Sequence, residues 1–94
     1  AYWDRDLICR FANRQFCEWL RLDAAALIGR RSDSVFDVDT QRLLQPYIDG
    51  ALAGTPQVFE RSESGVDGER HWRLVQFFPV WREAAVAGFI VLGT

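Results

Sequence analysis

The side chains capable of acid–base or nucleophilic chemistry are few, and they do not form a catalytic pattern. His71 is the only histidine, and it stands between Arg70 and Trp72 at the start of an apolar run. A hydrolase or transferase needs a base held beside a nucleophile, and we expect His71 instead to be an exposed or capping residue. Asp37 and Asp39 have the positions of caps and loop residues. The sequence therefore predicts a protein that is not an enzyme.

The two cysteines, Cys9 and Cys17, carry neither a metal nor a disulfide signature. Both lie in apolar surroundings and lack the C-x-x-C spacing of zinc and redox sites. Small apolar thiols of this kind are typical of proteins kept in a reducing compartment. We therefore expect no metal site and a cytoplasmic location.

Composition and charge limit the chain to a small folded domain that does not attract polyanions. Of its 94 residues 49% are apolar, which suits one domain with its own core. A net charge of −2 provides no field for nucleic acid or an anionic membrane, and neither a signal peptide nor a membrane-length apolar run is evident. All eleven basic residues are arginine and methionine is absent. We expect a bacterial source and a domain excised from a longer protein.

Two long strands at the carboxyl end are predicted to organise the fold. Asp67 and Gly68 favour a hairpin turn, because glycine accepts a positive φ without a steric clash. Both faces of the penultimate strand are apolar, with Trp72, Leu74, Phe78 and Val80 on one and Val75, Phe77 and Trp81 on the other. An antiparallel sheet usually leaves one face wet. We therefore expect helices on one face and a second cover on the other.

The amino-terminal half predicts two short strands followed by helices. Asn13 is placed to cap a helix over residues 14–20, and Asp23 a shorter one over 24–28 that Gly29 ends. A polar connector is expected over 30–33.

A longer helix follows this connector, with Asp39 or Thr40 as its expected cap. Its apolar stripe has the spacing of one helix face: Leu44, Tyr47, Ile48, Ala51 and Leu52. Pro46 either kinks this helix or marks its first turn. A strand over 57–64 precedes the hairpin, so the predicted order is β-β-α-α-α-β-β-β.

These junctions, in this order, resemble the PAS family of sensory domains over essentially the whole chain. The resemblance lies in turns and caps: Asp4-Arg5-Asp6, Phe11-Ala12-Asn13, Leu27-Ile28-Gly29-Arg30, Ala51-Leu52-Ala53-Gly54-Thr55-Pro56, Asp67-Gly68, Pro79 and Gly88-Phe89-Ile90-Val91. It implies an α+β fold, with a five-stranded antiparallel sheet of order 2-1-5-4-3 and helices packed on one face. Members commonly lie upstream of histidine kinase, cyclic-dinucleotide or transcription-regulating modules.

Haem and flavin are not expected from this resemblance. Haem-binding relatives place an axial histidine on the long helix or the loop after it, and residues 41–54 contain none. Flavin-bonding relatives carry their cysteine in an Asn-Cys-Arg-Phe-Leu-Gln motif just before a helix. Cys9-Arg10-Phe11 matches three of those letters, but it lies in the second strand and ahead of Asn13. The identity of any cofactor stays open.

A cavity between the inner sheet face and the long helix is the expected ligand site. Its candidate residues combine apolar walls with a few polar groups: Asn13, Phe36, Ile48, Arg61, Trp72, Leu74 and Gln76. Gln76 interrupts an apolar run, and a buried amide needs partners. Arg61 is free to pair either with Glu63 or with a ligand carboxylate. A core that simply interlocks is the competing interpretation.

The sequence thus predicts a PAS-like sensory and dimerisation module of a bacterial signalling protein. It would bind a small organic molecule or relay a conformational change to an output domain. A homodimer is expected through the outer sheet face, on an apolar set chosen as Val75, Phe77, Trp81, Phe89 and Val91. The alternatives are a ligand-free protein-interaction scaffold with a filled core and a small cone-shaped isomerase. The isomerase requires a carboxylate or tyrosine at a pocket mouth, and neither Tyr2 nor Tyr47 has an evident partner.

Overall fold

A computed structural model shows a five-stranded sheet covered on one face by helices. It describes residues 1–64 and 67–93, without the side chains of residues 63 and 64. The elements are β1 (Tyr2–Asp4), β2 (Cys9–Phe11), α1 (Arg14–Leu20), α2 (Ala24–Leu27), α3 (Ser32–Val35), α4 (Val38–Leu52), β3 (Gln57–Ser64), β4 (Arg70–Arg82) and β5 (Ala85–Gly93). All strand pairs are antiparallel and their order is β2-β1-β5-β4-β3. The predicted fold class and strand order are confirmed.

Two side-chain caps start the helices that cover the sheet. The Asn13 side chain accepts a hydrogen bond from the Phe16 amide at 2.9 Å, as its position before α1 predicts. For α4 the cap is Asp37, whose carboxylate accepts from the Thr40 amide at 2.7 Å, so the helix begins earlier than the predicted Asp39 or Thr40. Pro46 lies inside α4 and does not mark its first turn.

A single helical turn, α3, replaces the polar connector that the sequence predicts. The Ser32 amide donates to the Leu7 carbonyl at 2.8 Å, and the Phe36 amide donates back to the Ser32 carbonyl at 2.9 Å. Four residues give no periodicity that a sequence pattern can reveal. This turn is held by a long-range backbone contact, and it brings Ser32 and Phe36 under the sheet.

The side chains of β4 and β5 that face the helices are the set predicted to face outward. Val75, Phe77, Phe89 and Val91 are all at most 8% exposed, and they form the core with α4 rather than an outer surface. Gln76 consequently faces outward, between Val58 and Leu92 on the neighbouring strands. The physical reason is the cost of a buried amide without partners, which the observed register avoids. Both alternating sets of side chains on these strands are largely apolar, so the alternation alone does not determine which set is buried.

The turn between β1 and β2 is held by Asp4. Its carboxylate accepts from the amides of Asp6 (2.9 Å) and Ile8 (3.0 Å) and from the Arg10 guanidinium (2.7 Å). Partial burial opposes ionisation, but the hydrogen bonds from Ile8, Arg10 and Asp6 outweigh it and lower the pKa of Asp4. The charged carboxylate is thus the form that the native turn favours.

We predict that Asp4→Ala lowers the free energy of unfolding by about 1–3 kcal/mol, because three hydrogen bonds are lost together. Since the pKa of Asp4 is lower in the folded state, its contribution is complete above the ordinary aspartate pKa of about 3.9 and is lost as pH falls through the folded value. Urea unfolding at pH 7 and at pH 3 measures this. A difference between wild type and variant that is larger at pH 3 would contradict the assignment.

Candidate functional site

A small cavity lies between the inner sheet face and the helices. Its volume is about 40 Å³. Residues from every layer of the domain line it: Trp3, Phe16, Trp19, Leu20, Ser32, Phe36, Leu44, Ile48, Phe59, Arg61, Val75, Phe77, Phe89 and Val91. The space is therefore lined by residues of the sheet and the helices.

Aromatic rings form much of the cavity wall and keep it open. Phe59 stacks on Tyr47 with ring centroids 3.9 Å apart and meets Phe77 edge-on at 5.2 Å. Trp3 packs against Phe16 at 6.5 Å. Flat rings in edge and stacked contacts have few ways to rearrange, so they do not collapse into the remaining space.

Two residues give this apolar cavity its polarity. Among the described residues that line it, only Ser32 and Arg61 are neither aliphatic nor aromatic. Ser32 is 4% exposed, and α3 holds it in place. Arg61 is half-buried on β3 and points to the same side of the sheet as Phe59. The predicted alternative partner of Arg61, the side chain of Glu63, lies outside the described residues.

A more open cleft of about 370 Å³ adjoins the cavity along β3. The two spaces share Leu44, Phe59 and Arg61 as common walls, and the cleft is further lined by Thr40 and Trp72 among others. The cleft and the cavity are therefore separated by these shared side chains.

The structure separates the predicted ligand residues into two groups. Phe36, Ile48 and Arg61 line the cavity. Trp72 and Leu74 do not, because they lie on the outer sheet face with 67% and 41% of their surface exposed, although Trp72 borders the cleft.

Two polar candidates also lie away from the cavity. Gln76 shares the outer face with its partner Leu92, and the exposed Asn13 is occupied as the cap of α1. The predicted inward orientation of Gln76 is therefore wrong.

Four residues predicted for the outer face line the cavity instead: Val75, Phe77, Phe89 and Val91. Trp81 is 57% exposed, and its ring packs on Gly54 at the end of α4, where a Cβ atom would lie 2.8 Å from it. A register shift between Val80 and Trp81 accompanies this placement. Gln76 is the sequence signal that could have identified the cavity-lining residues of β4. A polar amide on one face of a strand favours burial of the other, fully apolar face.

The outer sheet face is apolar and uncovered. Tyr2 pairs with both Phe11 and Ile90, and Ile90 pairs with Phe78, so one row of side chains crosses four strands. The most exposed apolar residues of this face are Phe11 (58%), Val58 (58%), Trp72 (67%), Leu74 (41%), Ile90 (39%) and Leu92 (49%). We call this set the outer apolar face.

The titratable groups do not form a catalytic centre within the described residues. His71 lies on the surface, with its Nε2 atom 3.3 Å from the Asp67 carboxylate. The amide of Glu69 and the imidazole of His71 lower the pKa of Asp67.

Neither a metal site nor a membrane segment is found in the described part of the chain. No three metal-binding side chains gather there, and none of its helices has the length and apolarity that crossing a bilayer requires. Both cysteines are free, and burial raises the pKa of the Cys9 thiol.

The sheet order and the helices on one face agree with comparisons with known proteins. The family model described as PAS fold matches residues 1–94. The chain belongs to the PAS-fold family. A similar solved structure is the PAS domain of the histidine kinase ThkA, with a TM-score of 0.72 over 98% of this chain and 91% of that one. At 12% identity this likeness shows the fold alone. No curated protein matches the sequence.

The cavity allows a prediction about the stability of the core of this PAS domain. Ile48 is 3% exposed and lines a space that has not closed around it, so Ile48→Ala enlarges an existing void. We expect a loss of about 2–5 kcal/mol in the free energy of unfolding. Leu43→Ala, on the same helix but 73% exposed, is the matched control and should cost under about 0.5 kcal/mol. Equal losses for the two variants in chemical denaturation would contradict the placement of α4.

Proposed function

We propose that this PAS domain is a sensory and dimerisation module of a bacterial signal-transduction protein. It binds a small molecule in the cavity, or relays a conformational change, and passes the signal to an output domain. The observation that carries the proposal is that the same strand serves two surfaces. Along β4, Val75 and Phe77 line the cavity, and the alternating residues Leu74 and Gln76 face outward.

This alternation couples the two faces mechanically. Adjacent residues of a strand point to opposite sides of the sheet, so a shift of Phe77 within the cavity moves the backbone that holds Gln76 and Phe78. A ligand can shift an equilibrium only by its different affinity for the two states. Because the cavity is lined by the same strand that forms the outer face, a ligand that binds two conformations of this strand with different affinities would change the outer face directly.

The partner that fits the outer apolar face is a second copy of the chain. Its six most exposed apolar side chains present on the order of 600 Å², taking aromatic side chains as ~150–250 Å² each and aliphatic ones as smaller. Monomeric proteins seldom expose a larger patch, and a standard interface needs about 800 Å² from each partner. Two copies related by a two-fold axis would supply matching apolar surfaces to each other.

The small size of the cavity supports a second candidate function, a ligand-free interaction scaffold. A volume of 40 Å³ holds roughly one or two water-sized groups, and much of the core already interlocks around it. The two candidates share the dimer surface and differ in whether the cavity is occupied.

The remaining parts of the proposal follow from the family and from the chemistry of the chain. The proposed output is a two-component or cyclic-dinucleotide module, and the ThkA neighbour is an example of a PAS domain that lies in a histidine kinase. The free thiols Cys9 and Cys17 support a cytoplasmic location. The scattered titratable groups support a non-catalytic role.

We predict that the wild-type domain is dimeric at micromolar concentration and that Ile90→Glu makes it monomeric. A carboxylate buried without a partner in an apolar interface costs several kcal/mol, so the dimer Kd should rise at least about 100-fold. Leu92→Glu on the same strand should act in the same direction. Light scattering coupled to size exclusion, with circular dichroism to confirm folding, measures both variants.

The matched control is Leu43→Glu, which adds the same charge at an exposed apolar position on α4. It should leave the dimer intact. A wild-type domain that stays monomeric, or a folded Ile90→Glu variant that still dimerises, would rule out this surface as the self-association site.

Native mass spectrometry of the domain purified from its host separates the sensor from the scaffold. The sensor predicts an added mass that persists under native conditions and disappears on denaturation. The scaffold predicts the bare chain mass in both. Bare mass together with an intact dimer would reject a retained ligand and retain the scaffold.

A further inference from the structure

We propose that the cavity and the adjoining cleft bind a monocarboxylate with a short apolar tail, with Arg61 as the residue that recognises the acid group. The inference rests on the proposed sensing role of the cavity and specifies the chemical class of its ligand. The tail would occupy the apolar interior, and the carboxylate would lie at the boundary between cavity and cleft.

The apolar tail of the proposed ligand is inferred from the apolar walls of the cavity. Its interior surface comes from rings and aliphatic side chains such as Phe36, Ile48 and Val91, and a water there would find few of the two to four polar partners that it needs. The present volume of about 40 Å³ accepts the end of a chain and not a bulky ring. A short alkyl tail matches this shape.

The acid group of the proposed ligand is inferred from the position of Arg61. It is a wall of both the cavity and the cleft, and no carboxylate of the described residues forms an ion pair with it. A half-buried guanidinium beside apolar surface is costly unless an anion pairs with it. Its planar fork matches a carboxylate with two parallel hydrogen bonds.

The neighbour of Arg61 across the sheet strengthens this preference. Arg73 lies directly opposite Arg61 on β4, and like charges in such a pair are destabilising. The Arg73 guanidinium is engaged over the Trp19 ring, 5.0 Å from its centroid. A ligand carboxylate on Arg61 would offset part of the positive charge that the two guanidinium groups bring to this part of the sheet.

An acidic residue of the cleft disfavours a second negative charge on the ligand. Glu60 lines the cleft beside Arg61. A second carboxylate on the ligand would meet Glu60, so a monocarboxylate fits better than a dicarboxylate. The hydroxyls of Thr40 and Ser62 also line the cleft, the first bonded to Asp37 and the second to Arg70.

Calorimetric titration with straight-chain acids and alcohols of equal length tests the assignment. The probes are butanoate, hexanoate and octanoate, each compared with the corresponding 1-alkanol on the wild-type domain. We expect the best acid to bind at least tenfold more tightly than its alcohol. In NMR spectra the indole N–H signals of Trp3 and Trp19, which line the cavity, should shift with the acid.

Variants at position 61 identify the residue responsible. Arg61→Gln should weaken acid binding at least tenfold and leave alcohol binding within about twofold, while Arg61→Lys should retain part of the preference. Arg82→Gln, on the exposed end of β4, removes the same charge away from the cavity and should change neither. Circular dichroism confirms that each variant is folded.

The outcomes separate this inference from the function on which it rests. Equal binding of acid and alcohol, or an acid preference that survives Arg61→Gln, overturns the role of Arg61 while leaving a sensing cavity in place. Failure of every acid to bind overturns the ligand class, and a retained ligand of another class in native mass spectrometry would then still support the sensor.

Discussion

The packing of β4 against β5, two strands that are apolar on both faces, is the constraint on which the rest of this structure depends. A sheet of this kind can bury only one face beneath its own helices, because α1 to α4 all lie on the same side. The inner face becomes the core around Phe77 and Phe89. The outer face is left exposed, which is why the proposed dimer uses it. The core and the exposed apolar face are therefore two consequences of the same pair of strands.

The cavity is a consequence of how the inner face is packed. Glycines let backbone and rings approach where a Cβ would not fit: a Cβ on Gly93 would lie 2.6 Å from the Trp19 ring, and one on Gly88 would overlap the Trp3 carbonyl. Close contact at these edges and stiff aromatic pairs in the middle leave a void that no side chain can enter without distortion. Such a void stores a small free-energy cost, which a ligand of the right shape can recover.

The proposed signal transmission would need little movement. The residues that touch the cavity and those that face outward alternate along β4 and β5, so a displacement of less than a side-chain diameter reaches both. Arg61 occupies a comparable position on β3, between the interior and the cleft. In the proposed function, charge recognition at this edge and apolar recognition in the interior would act on one sheet, whose outer face is the proposed dimer surface.

The sequence by itself determined the class of fold, the strand order through its resemblance, and the local signals, since these depend on neighbours in the chain. Asn13 as a cap, α1 over Arg14–Leu20 and β3 over Gln57–Ser64 are examples. It also predicted that whichever face was left over would be apolar. Tertiary structure decided which face that is, because a period of two is equally satisfied by Val75 and Phe77 inside or by Leu74 and Gln76 inside. The choice depends on contacts with Trp3, Ile48 and the desolvation of one amide, and these lie far apart in the chain. The turn α3 and the position of Arg61 between two spaces were likewise fixed only by long-range contacts, which no local pattern encodes.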